Sequence, residues 1–124
     1  MDYKTNFQTE GTLSHDKLIA GNAHLLISRK VAIKSGQNVV RGAVLGKDGD
    51  GKYLLSLSAA NDGSQTPDLI LAEDCNATGG EKTAIAYARG DFAIQALTIG
   101  TGHTAASIAE GLRGKGITIL NIVA

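Results

Sequence analysis

Residues 31–47, with the sequence VAIKSGQNVVRGAVLGK, constrain the fold of this chain more than any other stretch. Three short apolar runs within it have the length and composition of buried strands. The segment KSGQN separates the first two runs and has turn chemistry, because Gly accepts positive φ and Ser and Asn bond their own backbone. Gly42 and Gly46 bracket the third run, and a glycine inside a strand pattern marks a bulge, a bend or a close backbone approach. The stretch therefore predicts a strongly bent β-ribbon.

Composition bounds the class of protein. A length of 124 residues predicts one domain, and 16 glycines with only 4% aromatic residues favour a turn-rich, mainly β fold. The single Cys75 excludes an intramolecular disulfide and any site built from several cysteines. Because 12 basic residues balance 12 acidic ones, we expect no direct nucleic-acid partner. We also expect no membrane span and no signal peptide, and the single cysteine fits synthesis in a reducing compartment.

Alternation of apolar and polar residues predicts a series of strands. These are residues 24–33, 53–58, 68–72, 83–88, 92–99 and 117–123. In the second of them, Tyr53, Leu55 and Leu57 share one predicted face. In the fourth, one face carries only alanine, which permits the close approach of another backbone layer. The tripeptide Arg89-Gly90-Asp91 is predicted to be a turn between two strands rather than an adhesion motif.

One helix is predicted near the C-terminus, at residues 105–113. Its apolar stripe follows the 3.6-residue period at Ala105, Ile108, Ala109 and Leu112. Thr104 is the predicted N-cap, and Gly114 is the predicted left-handed C-cap glycine.

The first 24 residues show no clear strand or helix period, and residues 25–124 make up the predicted β-rich domain. The N-terminal segment is either a frayed terminus or an extended arm that becomes ordered on a partner. In the second interpretation the contacts to the partner come from its large apolar side chains. These are Tyr3, Phe7, Leu13, Leu18 and Ile19.

Charge is unevenly distributed along the chain. Residues 29–52 contain six basic and two acidic side chains, whereas residues 62–91 contain six acidic and two basic ones. These are either two solvated faces or complementary patches that align copies of the chain or a partner. In the second interpretation Arg41 and Lys47 contact another copy of the chain or a partner.

No motif predicts catalysis, and we expect no cofactor and no metal. GTGHTA at residues 100–105 resembles a dinucleotide fingerprint but lacks the acidic residue that should follow. DGDGK at residues 48–52 begins like a calcium loop but fits a hairpin turn better. The alternative of a small enzyme would use Cys75 with His15, His24 or His103, or the turn at Gly100.

An ordered set of short segments carries a resemblance to a known family. The segments are SGQ at 35–37, GAVLGK at 42–47, DGS at 62–64, LIL at 69–71, DCNAT at 74–78, AIAYARGDF at 84–92 and GI at 116–117. In this order and spacing the chain resembles the lambda-type phage head decoration proteins over about residues 30–123. Residues 2–11 and 24–30 match that family only loosely, so contacts to the shell do not transfer residue by residue.

The resemblance implies a mainly β, β-clip-like bent ribbon that forms an incomplete barrel, with one short C-terminal helix and an extended N-terminal arm that is mobile when free. It implies a non-enzymatic capsid decoration (cementing) protein on the outer surface of the virion. The implied partners are the major capsid protein and two further copies in a homotrimer at three-fold positions. There the protein stabilises the expanded phage head against packaged DNA. The alternative is another β-rich phage structural or receptor-binding accessory module.

Overall fold

The computed structural model describes residues 18–21 and 26–120. This part of the chain is mainly β with one short helix near the C-terminus, as predicted. Its strands are β1 (Ile19–Gly21), β2 (Ile27–Ile33), β3 (Asn38–Val39), β4 (Val44–Lys47), β5 (Tyr53–Leu55), β6 (Leu69–Leu71), β7 (Cys75–Asn76), β8 (Lys82–Ala93) and β9 (Ile117–Leu120). A 3₁₀ turn covers Ile94–Ala96 and helix α1 covers Ala105–Arg113. Among the described residues, no helix is long and apolar enough to cross a membrane.

Five strands form a barrel-like sheet. β2 runs antiparallel to β8, β5 lies parallel to β2, and β4 lies antiparallel to β5. β6 pairs with β4 and returns to β8, which closes the ring. The pairing between β2 and β5 is the shortest of these strand pairings. It consists of one residue pair, Ile33 with Tyr53, and a hydrogen bond from the Lys34 amide to the Tyr53 carbonyl at 2.9 Å. The barrel implied by the resemblance is therefore present.

Strand β8 joins the barrel to the strands that lie outside it, β1 and β9. Its first part pairs with β2 and β6 in the barrel, and its last residues pair with β1 on one side and β9 on the other. The predicted turn at Arg89-Gly90-Asp91 is wrong, because all three residues lie within this strand and pair with β1, β2 or β9. The predicted strand at 92–99 is also wrong beyond Ala93, where the 3₁₀ turn follows.

Apolar side chains form two clusters, one inside the barrel and one outside it. The inner cluster contains Val31, Ile33, Val39, Ala43, Leu45, Tyr53, Leu69, Leu71, Cys75, Ala77, Ala84 and Ala86. The outer cluster contains Leu18, Val44, Ile70, Phe92, Ile108, Leu112 and Ile117. Leu45 points inward while its neighbour Val44 packs outside, so β4 is buried on both faces. The alanine face of β8 lines the barrel interior, as its pattern predicts.

The glycine-bracketed stretch crosses between sheets. β2 and β4 lie in the barrel, whereas β3 leaves it and pairs with β7 in a separate two-stranded sheet. Gly42 has φ +94°, and a Cβ there would lie 2.4 Å from the Ala96 carbonyl oxygen. A Cβ on Gly46 would lie 2.0 Å from the Ser64 carbonyl oxygen. Of the three alternatives predicted for these glycines, a bulge, a bend or a close backbone approach, the structure shows the close approach at both.

Helix α1 has the predicted bounds and the predicted N-cap. The Ser107 amide donates to Thr104 Oγ1 at 3.2 Å, and the Thr104 amide donates to Ser107 Oγ at 2.9 Å, so each satisfies the other. Only Ile108 and Leu112 of the apolar stripe are fully buried, and Ala105 is exposed. Gly114 is the C-cap residue, as predicted, but the predicted left-handed conformation is wrong, because its φ is −70° and Gly116 adopts the positive φ instead.

The predicted alternation after Tyr53 is also wrong. β5 ends at Leu55, Ser56 is fully buried, and Leu57 is 38% exposed. The Ser56 amide donates to the Val44 carbonyl at 2.9 Å, and the Ser56 carbonyl packs closely against Gly100. These non-local contacts turn the polar residue inward and the leucine outward.

The segment DGDGK forms the hairpin turn between β4 and β5. The Asp48 carboxylate is buried and accepts hydrogen bonds from Lys34 Nζ at 2.7 Å, the Lys52 amide at 3.0 Å and the Asp50 amide at 2.9 Å. These donors, with Lys34 the largest cause, hold the pKa of Asp48 below its usual range. Asp48 therefore holds the turn together through hydrogen bonds and, through Lys34, also ties the turn to the end of β2.

Acidification should weaken the fold through Asp48. Because its folded-state pKa is depressed, the unfolded chain takes up the proton first, so its stabilisation is present above about pH 4 and is lost as pH falls through the folded pKa. We expect Asp48→Asn to be less stable than wild type at pH 7 and to approach it near pH 2, measured by urea unfolding across pH. Asp50→Asn, at an exposed position of the same turn, should keep the wild-type pH profile. Parallel pH profiles for Asp48→Asn and wild type would contradict this assignment.

Candidate functional site

The five residues predicted to contact a capsid fall into two groups, three outside the described residues and two packed on the domain. Tyr3, Phe7 and Leu13 lie outside the described residues. Leu18 is 1% exposed and lies in the outer cluster, where its carbonyl accepts the Ala93 amide at 2.8 Å. Ile19 pairs with Phe92 and packs at the edge of the same cluster. Residues 18–21 are therefore attached to the domain as a strand, and the chain before them is the part that remains a predicted arm.

Arg41 is held by contacts within its own chain. Its Nη1 donates to the Ala72 carbonyl at 2.7 Å and to the Tyr87 hydroxyl at 3.1 Å, and its guanidinium lies 5.7 Å from the centre of the Tyr87 ring. Its backbone amide donates to Asp74 Oδ1 at 2.8 Å. The side chain thus joins the β3–β4 connection to β8, and a charge reversal here would test folding as well as recognition.

Lys47 lies at a small polar pocket next to the barrel. The pocket has a volume of about 180 Å³ and is lined by Lys47, Gly63, Thr66, Asp68 and Lys115. Lys115 Nζ donates to one oxygen of Asp68 at 2.9 Å, and the Tyr53 hydroxyl donates to the other at 2.9 Å. The structure therefore gives Lys47 a defined setting that its sequence position alone did not reveal.

Electrostatics in this pocket favour an ionised Asp68. Partial burial raises its pKa, but the hydrogen bonds from Lys115 and Tyr53 outweigh that effect and hold the pKa below its usual value. Burial and the bond to Asp68 raise the pKa of Tyr53 to about 12, so the phenol stays protonated and keeps donating. Asp68 is thus an acceptor with both oxygens engaged.

The basic and acidic stretches of the sequence face each other within one molecule. Lys52 pairs with Glu81 at 2.7 Å, and the Arg41 amide binds Asp74. Lys34 pairs with Asp48 inside the basic stretch itself. The two stretches are therefore partly complementary within the chain, and alignment of separate copies by these patches stays a prediction.

The alternative of a cysteine nucleophile gains no support from the described contacts. Cys75 is 7% exposed and packs into the same apolar cluster as the barrel residues, from β7 of the separate two-stranded sheet. His103 bonds elsewhere, with Nδ1 3.0 Å from Ser107 Oγ and Nε2 3.0 Å from the Gln65 carbonyl oxygen. His15 and His24 lie outside the described residues.

A Ser56–His103 contact was not predicted from the sequence. His103 Nε2 lies 3.2 Å from Ser56 Oγ, the spacing of a nucleophile and its base. However, the Gln65 carbonyl can only accept, so Nε2 carries the hydrogen and cannot also take the serine proton. Ser56 is also fully buried, so this contact holds the N-terminus of α1 to the loops beneath it. In residues 18–21 and 26–120 no group of three or more His, Cys, Asp or Glu side chains is arranged to hold a metal ion.

Comparison with known proteins identifies the family. No curated protein matches the chain significantly. The family model for the bacteriophage lambda head decoration protein D matches residues 7–117, which include every described strand and helix except the part of β9 beyond Ile117. A match over that much of the chain, on a barrel-like β fold with one short helix, agrees with the ordered motifs of the sequence. The chain belongs to the bacteriophage lambda head decoration protein D family, and its role is that of a structural decoration protein of the phage capsid.

Proposed function

We propose that this protein binds the outside of the expanded phage head as a homotrimer at three-fold positions, and there stabilises the shell against packaged DNA. The family match over residues 7–117 is the observation that carries the proposal. The proposed partner is the major capsid protein, and the proposed contact is the segment before β1. The protein needs surfaces for this role rather than an active site.

The attachment of β1 supports this use of the N-terminal segment. Leu18 is buried against β8 directly after residues 1–17, so a force on that segment is resisted by the core of the domain. An extended segment can add a strand to an open sheet edge, where main-chain bonds supply affinity and alternate side chains supply specificity. Tyr3, Phe7 and Leu13 are the apolar side chains available for such a contact.

Thermodynamics explains how small contacts can stabilise a large shell. Three segments in one trimer gain avidity over a single segment, provided that all three reach their sites together. A protein that binds the expanded shell and not its precursor stabilises the expanded form by mass action. The proposal therefore predicts saturable binding that discriminates between the two forms of the head.

Co-sedimentation with empty heads tests the proposal. The wild-type protein should bind expanded heads saturably and unexpanded heads little or not at all. The triple variant Tyr3→Ala/Phe7→Ala/Leu13→Ala should bind at least about tenfold more weakly, because each apolar side chain loses its burial on the shell. The matched variant Lys4→Ala/Gln8→Ala/Thr12→Ala changes neighbouring polar positions and should stay within about twofold of wild type.

Two outcomes would contradict the proposal. Wild-type binding to neither form of the head would redirect the search to tails and receptor-binding accessories. Equal binding by the two triple variants would remove the N-terminal segment as the contact. Thermal melting of all three proteins should coincide, because the substitutions precede Leu18 and the packed domain.

A further inference from the structure

The pocket beside β4 contains hydrogen-bond donors that the chain leaves unused. Both oxygens of Asp68 are engaged, by Lys115 and by Tyr53. The Lys47 ammonium carries three N–H groups and forms no ion pair or hydrogen bond with any described residue, although its charge contributes to lowering the pKa of Asp68. Lys115 has two N–H groups beyond the one given to Asp68, and the Thr66 hydroxyl lies on the pocket wall. The pocket is therefore rich in donors while its carboxylate is already satisfied.

Charge sets the kind of ligand that such a pocket accepts. Two ammonium groups and one carboxylate leave a single positive charge in the lining. A single carboxylate balances the excess and accepts from both lysines, whereas a second negative charge would face Asp68 without compensation. A volume of about 180 Å³ admits the end of one side chain rather than a chain segment.

We infer that the Lys47–Lys115 pocket binds one carboxylate, supplied by an aspartate or glutamate of a neighbouring protein subunit on the phage head. The inference rests on the proposed function and names the chemistry of one contact within it. Lys115 is oriented by Asp68, and Lys47 is the free arm of the site. An exposed ion pair of this kind changes affinity about two- to fivefold, and the effect is reduced by salt.

Lys47→Gln and Lys82→Gln form a matched pair for the test. Each removes one positive charge from an exposed strand residue, at the end of β4 and at the start of β8. General electrostatic attraction therefore changes equally in both variants. Lys47→Gln should fold normally, because the side chain makes no contact that the described fold depends on.

Sodium acetate is the probe for the pocket in the free protein. Titration followed by ¹H–¹⁵N NMR should shift the amide signals of Gly63 and Thr66 in wild type and in Lys82→Gln, but not in Lys47→Gln. Sodium chloride at equal ionic strength provides the blank. The absence of an acetate-specific shift in wild type, or its persistence in Lys47→Gln, would overturn the inference.

Binding assays then identify the subunit that supplies the carboxylate. Lys47→Gln should bind expanded heads about two- to fivefold more weakly at low salt, with the difference closing as salt rises, if the shell supplies it. If Lys47→Gln instead self-associates about two- to fivefold more weakly than wild type at low salt, as measured by sedimentation velocity, the carboxylate comes from a second copy of the chain. Wild-type behaviour of Lys47→Gln in both assays, with wild type binding heads, overturns the inference and leaves the proposed function standing. If wild-type protein binds no heads, the proposed function fails and the partner inferred on the head fails with it.

Discussion

Gly46→Ala should destabilise the protein by at least about 3 kcal/mol, or prevent folding altogether. The new Cβ would lie 2.0 Å from the carbonyl oxygen of Ser64 and 2.8 Å from its Cα. These are backbone atoms, so no side-chain rotation relieves the overlap. Ser64 cannot easily retreat, because it is fully buried and its amide and hydroxyl both bond Asp62 Oδ1, at 2.9 Å and 2.6 Å. Urea unfolding and thermal melting measure the effect, which for a domain of this size is about 10 °C or more in Tm.

Gly79→Ala is the matched control for that substitution. A Cβ at Gly79 meets no atom within 4 Å, and this exposed glycine does not have a positive φ. Its replacement should be neutral or should stabilise by up to about 1 kcal/mol, because alanine restricts the unfolded chain. If the two variants melted at the same temperature, the close contact between Gly46 of β4 and the Ser64 backbone would be contradicted.

Phe92→Ala should cost about 3–5 kcal/mol of folding free energy. Phe92 is fully buried in the outer cluster, and its ring lies 5.3 Å from that of Tyr87. It also pairs with Ile19 of β1 and with Ile119 of β9, so the cavity would loosen both flanking strands. Denaturant unfolding gives the cost, and amide exchange of Ala93, which donates to the Leu18 carbonyl, reports the release of β1.

Leu57→Ala serves as the control for Phe92→Ala, since this apolar side chain is 38% exposed. Its loss should cost less than about 1 kcal/mol, and Ala93 should keep its protection from exchange. An equal cost for the two substitutions would mean that the outer cluster is not a core. Unchanged protection of Ala93 in Phe92→Ala would show that β1 is held by other contacts.

Local patterns predicted the features that depend on neighbouring residues. Helix α1 was predicted with its bounds, because the apolar period and the Thr104 cap lie within the helix itself. The glycines of the ribbon were predicted to mark a bulge, a bend or a close backbone approach, because a residue without a side chain inside an apolar run leaves room for a neighbouring backbone. The mainly β class followed from the same kind of local information.

Features that depend on distant partners were missed. The Arg89-Gly90-Asp91 segment has turn composition, yet strands β1, β2 and β9 hold it within β8. Ser56 points inward because of bonds to Val44 and His103, which lies 47 positions further along the chain. A window of neighbouring residues contains neither set of partners, so no local pattern could have revealed them.

In the candidate site, too, the sequence predicted individual residues but not their distant partners. Lys47 was predicted from charge along the chain, but Asp68 and Lys115, 47 positions apart, are joined only by the fold. Arg41 was predicted from the same charge pattern as a contact to another subunit, and the structure gives its side chain partners at Ala72 and Tyr87. Charge patterns along a sequence therefore indicated basic positions without indicating which of them would form hydrogen bonds within the chain itself.

Strand β8 has a mechanical consequence for the proposed attachment to a shell through the chain before Leu18. Tension on the chain before Leu18 passes into β1 and from there to the far end of β8. Strand β8 continues through the barrel, where it is hydrogen-bonded to β2 and β6. The tension is therefore passed on to the barrel sheet. The strength of the attachment is then set by shear across a whole sheet rather than by one surface contact.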